Sequence, residues 1–126
     1  PTRACFEIWG PGTQLHGNVA AGSERSGFAG VGIPTCGLST SAKDAVLSNN
    51  VAHSALIGWN VHRTLSLGAC STLHSFTAFK ALNFGVFYEG AQNLHMSSVS
   101  VADNKVGISI LMFGPGWKVR QRCPRQ

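Results

Sequence analysis

Apolar positions along the chain fall in short alternating runs, such as Val86-Phe87-Tyr88 and Ile108-Ser109-Ile110, separated by Gly, Ser and Asn. The runs are rich in Val, Ile and aromatic residues, a composition that suits strands. Heptad-like spacing is absent, which argues against a helical array. Four segments align as copies of one pattern: 18–28, 50–59, 76–86 and 100–108. Each holds a β-branched residue followed by Ala, at Val19, Val51, Thr77 and Val101. Six to eight residues later comes a Gly with an apolar residue directly after it. The glycine column is Gly27, Gly58, Gly85 and Gly107, at spacings of 31, 27 and 22 residues. A leucine column, Leu15, Leu47 and Leu73, sits four residues before the β-branched position in the first three copies, and Ser97 stands there in the fourth.

This pattern predicts an all-β chain: a right-handed parallel β-helix of about four coils, part of a longer solenoid. Gly or Asn at the corners supplies the positive φ of a sharp turn. Coils stacked about 4.8 Å apart place like residues above like residues. Val19, Val51, Thr77 and Val101 are then expected to form one core ladder, and Phe28, Trp59, Val86 and Ile108 another. Truncation of a large rung such as Phe84 to Ala is expected to cost about 3–5 kcal/mol if it is buried. A β-sandwich of unrelated strands is the competing all-β architecture, and the aligned columns argue against it. The expected division is a lead-in segment over 1–12, the repeats over 13–113 and a basic tail over 114–126.

Repeat length varies because extra residues fall between Ala29 and Val46 and between Arg63 and Ser71. Both stretches are rich in Gly, Ser and Thr, as loops are. Each follows the strand after the repeat glycine, and each carries a cysteine. No Cys-x-x-Cys and no Cys–His cluster of zinc spacing occurs, so the four cysteines read either as a sparse disulfide set or as buried thiols. Loops leaving the same corner of adjacent coils lie close together, which predicts a Cys36–Cys70 bond. Cys5 and Cys123 sit near opposite ends, too far apart to bridge one another across stacked coils. They are expected to be free or paired with chain outside this sequence.

Composition sharpens the class. Hydrophobic residues make up 44% and charged residues 12% of 126, enough apolar surface for a core and unlike a disordered tail. The longest apolar-dominated run, Val106 to Phe113, is far short of the ~20 residues of a bilayer span. No secretory signal pattern opens the sequence. The net charge of +5 is concentrated: Lys118, Arg120, Arg122 and Arg125 lie in the last nine residues. Without them six basic residues face five acidic ones, so the body is nearly neutral and no nucleic-acid partner is expected. The tail reads as a solvated end, or as a contact for anionic lipid or acidic polysaccharide. Trp117, Lys118, Arg120 and Arg122 are the candidate ligand contacts.

The blocks Asn18-Val19-Ala20-Ala21-Gly22-Ser23-Glu24, Asn50-Val51-Ala52-His53-Ser54 and Val101-Ala102-Asp103-Asn104-Lys105-Val106-Gly107 occur in order, with Gly27-Phe28 and Gly58 between them. Ile8-Trp9-Gly10-Pro11-Gly12 precedes them. Over roughly residues 5–113 the chain resembles the parallel β-helix repeats of the fibrocystin and fibrocystin-L family. The resemblance implies very large single-pass membrane proteins, almost wholly extracellular, with immunoglobulin-like modules, linked to cilia, tubule architecture and cell-surface coats. It implies a plasma-membrane, ciliary or secreted location. The implied partners are flanking coils and modules of the parent protein, an acidic glycan or another surface protein. Related β-helix regions occur in proteins that promote hyaluronan breakdown. Two features depart from the family picture: no Asn-x-Ser/Thr sequon occurs, and the tail from Gly116 does not continue the repeat.

Candidate chemistry is sparse. A polysaccharide-cutting β-helix needs clustered carboxylates, whereas Glu7, Glu24, Asp44, Glu89 and Asp103 share no ladder position in the alignment. Among the five histidines none shows H-x-H or H-E-x-x-H spacing. His53 with His62 within a coil, and His74 with His95 between coils, are the pairs that could face each other, and they read as partly exposed, hydrogen-bonded histidines rather than as metal or pH-sensing pairs. Ser54 beside His53 points to the opposite face of a strand. Gly-x-Ser-x-Gly is absent, and Gly30-Val31-Gly32 is too little for a nucleotide loop. Trp9 and Trp117 read as end caps or as sugar-stacking platforms. No catalytic residue, metal or cofactor is therefore expected. The expected function is a structural, ligand-presenting extracellular module. The alternatives are a carbohydrate-active β-helix that binds or hydrolyses hyaluronan or another glycosaminoglycan, and a fragment inactive alone.

Overall fold

In a computed structural model the protein is described over residues 4–8, 12–61, 70–90 and 93–112. Eleven strands and one short helix follow in order: β1 (Ala4–Ile8), β2 (Leu15–His16), β3 (Val19–Ala21), β4 (Ser26–Gly30), α1 (Thr40–Asp44), β5 (Leu47–Ser48), β6 (Asn50–His53), β7 (Ile57–Val61), β8 (Cys70–Phe79), β9 (Phe84–Gly90), β10 (Asn93–Ala102) and β11 (Val106–Met112). They wind into a parallel β-solenoid of about four turns. One face is the sheet β1-β4-β7-β9-β11, and the second is β10-β8-β6-β3. The third holds the pair β2-β5 and the first halves of β8 and β10, which run on through a corner. Ala4–Ile8, inside the segment read as a lead-in, adds a rung to the first face: Phe6 pairs with Phe28.

The ladder Phe28, Trp59, Val86 and Ile108 forms in register. Phe28, Trp59 and Val86 are wholly buried, while Ile108 is 38% exposed because among the described residues no strand pairs beyond β11. The Phe28 ring stacks on Trp59 with centroids 5.0 Å apart, and Phe76 meets Trp59 edge-on at 5.2 Å. Trp59 also donates its indole N–H to the Gly30 carbonyl at 3.1 Å, so its one polar atom is satisfied inside the core.

The other ladder departs from expectation in two ways. Val19, Val51 and Thr77 pair in file but do not form a core: Val19 is 57% exposed and the other two are half-buried. Strand alternation turns the following alanines inward instead, and Ala20, Ala52 and Ala78 are buried. The fourth coil is one residue out of the predicted register. Val101 pairs with Ala78 and joins the inward column, and Ser100 takes the outward place beside Thr77. The same shift puts Met96, not Ser97, opposite Leu73 and completes the leucine column.

The glycine column stands in file for steric reasons, not for turns. None of Gly27, Gly58, Gly85 or Gly107 has a positive φ. A Cβ added at Gly85 would lie 2.6 Å from the Gly107 carbonyl oxygen, and one at Gly27 would lie 2.8 Å from the Ala52 Cβ. At this waist two faces of the coil nearly touch, which explains why Ala on one strand recurs with Gly on the next. The corners lie elsewhere. Gly17, Asn49, Ser75 and Ser98 form one column of left-handed residues; Gly22, Ser54, Lys80 and Asp103 form the other. Only the first coil uses Gly at both.

Candidate functional site

The most elaborated surface lies where the insertion over 31–46 folds back on β8. Its start is held by a short antiparallel bridge: Ile33 N–H donates to the Thr72 carbonyl at 2.8 Å, and Thr72 N–H donates to the Ile33 carbonyl at 2.7 Å. The Ser71 hydroxyl donates to the Val31 carbonyl, and the Thr72 hydroxyl donates to the Thr35 carbonyl at 2.8 Å. Cys36 and Cys70 are joined in a disulfide with Cα atoms 5.6 Å apart, as equivalent loop departures predict. The cross-link therefore ties the insertion to the first residue of β8.

The insertion ends in α1. Ser39 caps it, accepting from the Ala42 N–H at 3.2 Å. The last helical residue, Asp44, reaches back to the solenoid: its Oδ1 lies 2.6 Å from Nε2 of His74. The His74 side chain is 3% exposed and that of Asp44 53%. The other ring nitrogen, Nδ1, lies 2.7 Å from the Ser97 hydroxyl on the neighbouring coil. With the proton on Nε2, the ring donates to Asp44 and accepts from Ser97, so every polar atom of this buried side chain is matched.

His74 belongs to a column in which histidine and serine alternate: His16, Ser48, His74, Ser97. His16 Nδ1 lies 2.7 Å from the Ser48 hydroxyl, repeating the contact one step down the stack. Alignment on the leucine column shows this alternation, but nothing in the spacing announces Asp44, which reaches the column only through α1.

The other predicted residues are placed as follows. His74 and His95 do not face each other, because the register sets His95 opposite Thr72 and His74 opposite Ser97. His53 stacks on Phe79 at 4.9 Å and contacts the Ser54 hydroxyl at 3.2 Å, while His62 lies outside the described residues. Glu7 and Glu89 lie on different columns of the first face, Glu24 and Asp103 follow the second face in different coils, and Asp44 is on the insertion. Cys5 is exposed and has a free thiol. Trp9, Trp117, Lys118, Arg120, Arg122 and Cys123 lie outside the described residues. No described helix is long and apolar enough to cross a membrane.

Asparagines at the two corners add further polar links between coils, Asn50 being buried and Asn18 and Asn104 half-buried. Asn50 accepts from the Asn18 side-chain amide at 3.2 Å and donates to the Leu15 carbonyl at 3.0 Å. Asn104 accepts from the Ala81 N–H at 2.8 Å and donates to the Ala78 carbonyl at 3.1 Å. Each links adjacent coils where the chain bends and ladder hydrogen bonds are interrupted.

The chain as a whole is similar to known proteins. Mouse fibrocystin is 32% identical over 99 residues, covering 79% of this chain and 2% of its own length. Dog fibrocystin is 34% identical over 99 residues, with the same coverage of both chains. Human fibrocystin-L is 27% identical over 106 residues, 84% of this chain and 2% of its own length. The chain is a relative of the fibrocystins. It spans about 2% of the length of the fibrocystins it matches. No family model and no solved structure matches this fibrocystin-like chain.

Proposed function

We propose that this fibrocystin-like chain is a non-catalytic structural module in the extracellular part of a large cell-surface protein. Its role is to stack on flanking coils and to present a ladder face to a partner. The observation that supports this most is the open apolar end of the solenoid. On β11, Val106, Ile108, Ile110 and Leu111 are 38–47% exposed, and beyond them no strand pairs among the described residues. A parallel edge carrying apolar side chains fits a further coil of the same kind. The disulfide supports an oxidising compartment. The face offered to a partner is the outward column Val19, Val51, Thr77 and Ser100, with His53 and Phe79 stacked beside it.

The partner is another surface protein or an acidic glycan, the latter meeting Trp117, Lys118, Arg120 and Arg122. Incubation of the purified protein with high-molecular-weight hyaluronan, followed by sizing of the polymer, tests the non-catalytic part. Unchanged chain length is expected, and shortening overturns it. Expression with and without the flanking stretches of the parent protein tests the stacking part. The longer product is expected to unfold at higher denaturant and to aggregate less.

A further inference from the structure

We propose that, once the Cys36–Cys70 bond is reduced, the two thiolates and the His95 imidazole form a binding site for a soft divalent cation, with Zn²⁺ the best match. One donor atom from each of these residues lies within 4.8 Å of the other two. In a tetrahedral zinc site, Zn–S bonds near 2.3 Å and Zn–N bonds near 2.0 Å place the donors about 3.5–3.8 Å apart. The imidazole already lies within reach. The sulfurs need only separate from bonding distance, and a Cα spacing of 5.6 Å accommodates this by side-chain rotation.

Three features prepare the site. The donors sit on a frame that does not depend on the disulfide. Cys70 opens β8, and His95 lies on β10, opposite Thr72 in the parallel register. Cys36 is positioned by the Ile33–Thr72 bridge and by the Thr72 hydroxyl bond to Thr35. A supporting group is also near: Thr72 Oγ1 lies 3.6 Å from the Cys36 sulfur, and its one hydrogen, given to the Thr35 carbonyl while the disulfide is intact, has only to turn to reach the thiolate that reduction creates. Access is open as well, since both cysteines are half-buried and His95 is exposed. Two thiolates and a neutral imidazole balance a divalent ion without any carboxylate. Three protein ligands leave a fourth position for water.

The chemistry balances as follows. A dithiol reductant supplies two electrons and two protons; the Sγ–Sγ bond breaks, two thiols form, and the reductant closes into its own disulfide. The cation then displaces one proton from each thiol, and both protons pass to solvent. His95 binds through the lone pair of a neutral ring nitrogen.

The test uses the whole chain carrying Cys5→Ser and Cys123→Ser, reduced by a dithiol that is then removed anaerobically. Co²⁺ serves as the spectroscopic probe and Zn²⁺ as the competitor. One equivalent of Co²⁺ is expected to bind with a thiolate charge-transfer band and tetrahedral visible bands, and Zn²⁺ is expected to abolish both. His95→Ala, at an exposed position, is expected to keep the fold and both thiols but to weaken binding by more than about tenfold. The oxidised protein is expected to give no charge-transfer band. The proposal is overturned if reduced protein gives no such band, if it loses its β-sheet circular dichroism on reduction, or if His95→Ala binds as tightly.

Discussion

Ala78 faces Gly58 across the coil so closely that a Cβ placed on Gly58 would lie 2.8 Å from that of Ala78. The same Cβ would also strike the carbonyl of Gly85 on the next coil. Gly58→Ala must therefore push two backbones apart. Its expected cost is about 1–3 kcal/mol, the range of overpacked cores, read as a lower urea midpoint with an unchanged slope.

Trp59 is the largest fully buried side chain, whereas Phe84 is only half-buried and leans on Phe87 at 5.0 Å. The cost expected of Phe84 on the condition of burial therefore belongs to Trp59. Trp59→Ala is expected to lose about 3–5 kcal/mol, and Phe84→Ala clearly less. Equilibrium unfolding of the two variants side by side checks the order.

The Cys36–Cys70 link closes a separation of 34 residues. In the chain-entropy model this is worth about 3.8 kcal/mol, toward the upper part of the usual range. Peptide mapping without reduction is expected to find the two cysteines linked and Cys5 alkylatable. Replacement of both bridging residues by Ser is expected to lower stability by about 2–4 kcal/mol.

Lys80 holds φ at 54° in a corner column where the first coil has Gly22. A left-handed backbone costs a residue with a Cβ about 1–2 kcal/mol, and glycine is spared this but loses more chain entropy. Lys80→Gly is expected to stabilise the protein by roughly 0.5–1 kcal/mol. A fall in melting temperature would contradict the corner assignment.

Much of this architecture can be read in the sequence, and the gaps have definite causes. Close packing at the waist sets Gly27 and Gly58 against Ala and Gly85 and Gly107 against Val101, so the glycine column marks itself in every coil. The corners do not, because six of the eight left-handed positions hold Asn, Ser, Lys or Asp rather than Gly. The register of the fourth coil was hidden by Val101-Ala102, which imitates the motif although the inward residue there is Val101. The disulfide was legible because equivalent corners sit one above the other. The Asp44–His74 contact was not, since it depends on how an insertion folds back rather than on any repeat.

The central claim is that successive coils stack in register, each completing the interior of the next. Nuclear Overhauser spectroscopy on protein labelled only at glycine tests it most directly. The account predicts inter-residue cross-peaks linking Gly27 to Gly58, Gly58 to Gly85 and Gly85 to Gly107, and none that skips a coil. Absence of these contacts in the folded protein, or a direct Gly27–Gly107 contact, would contradict it.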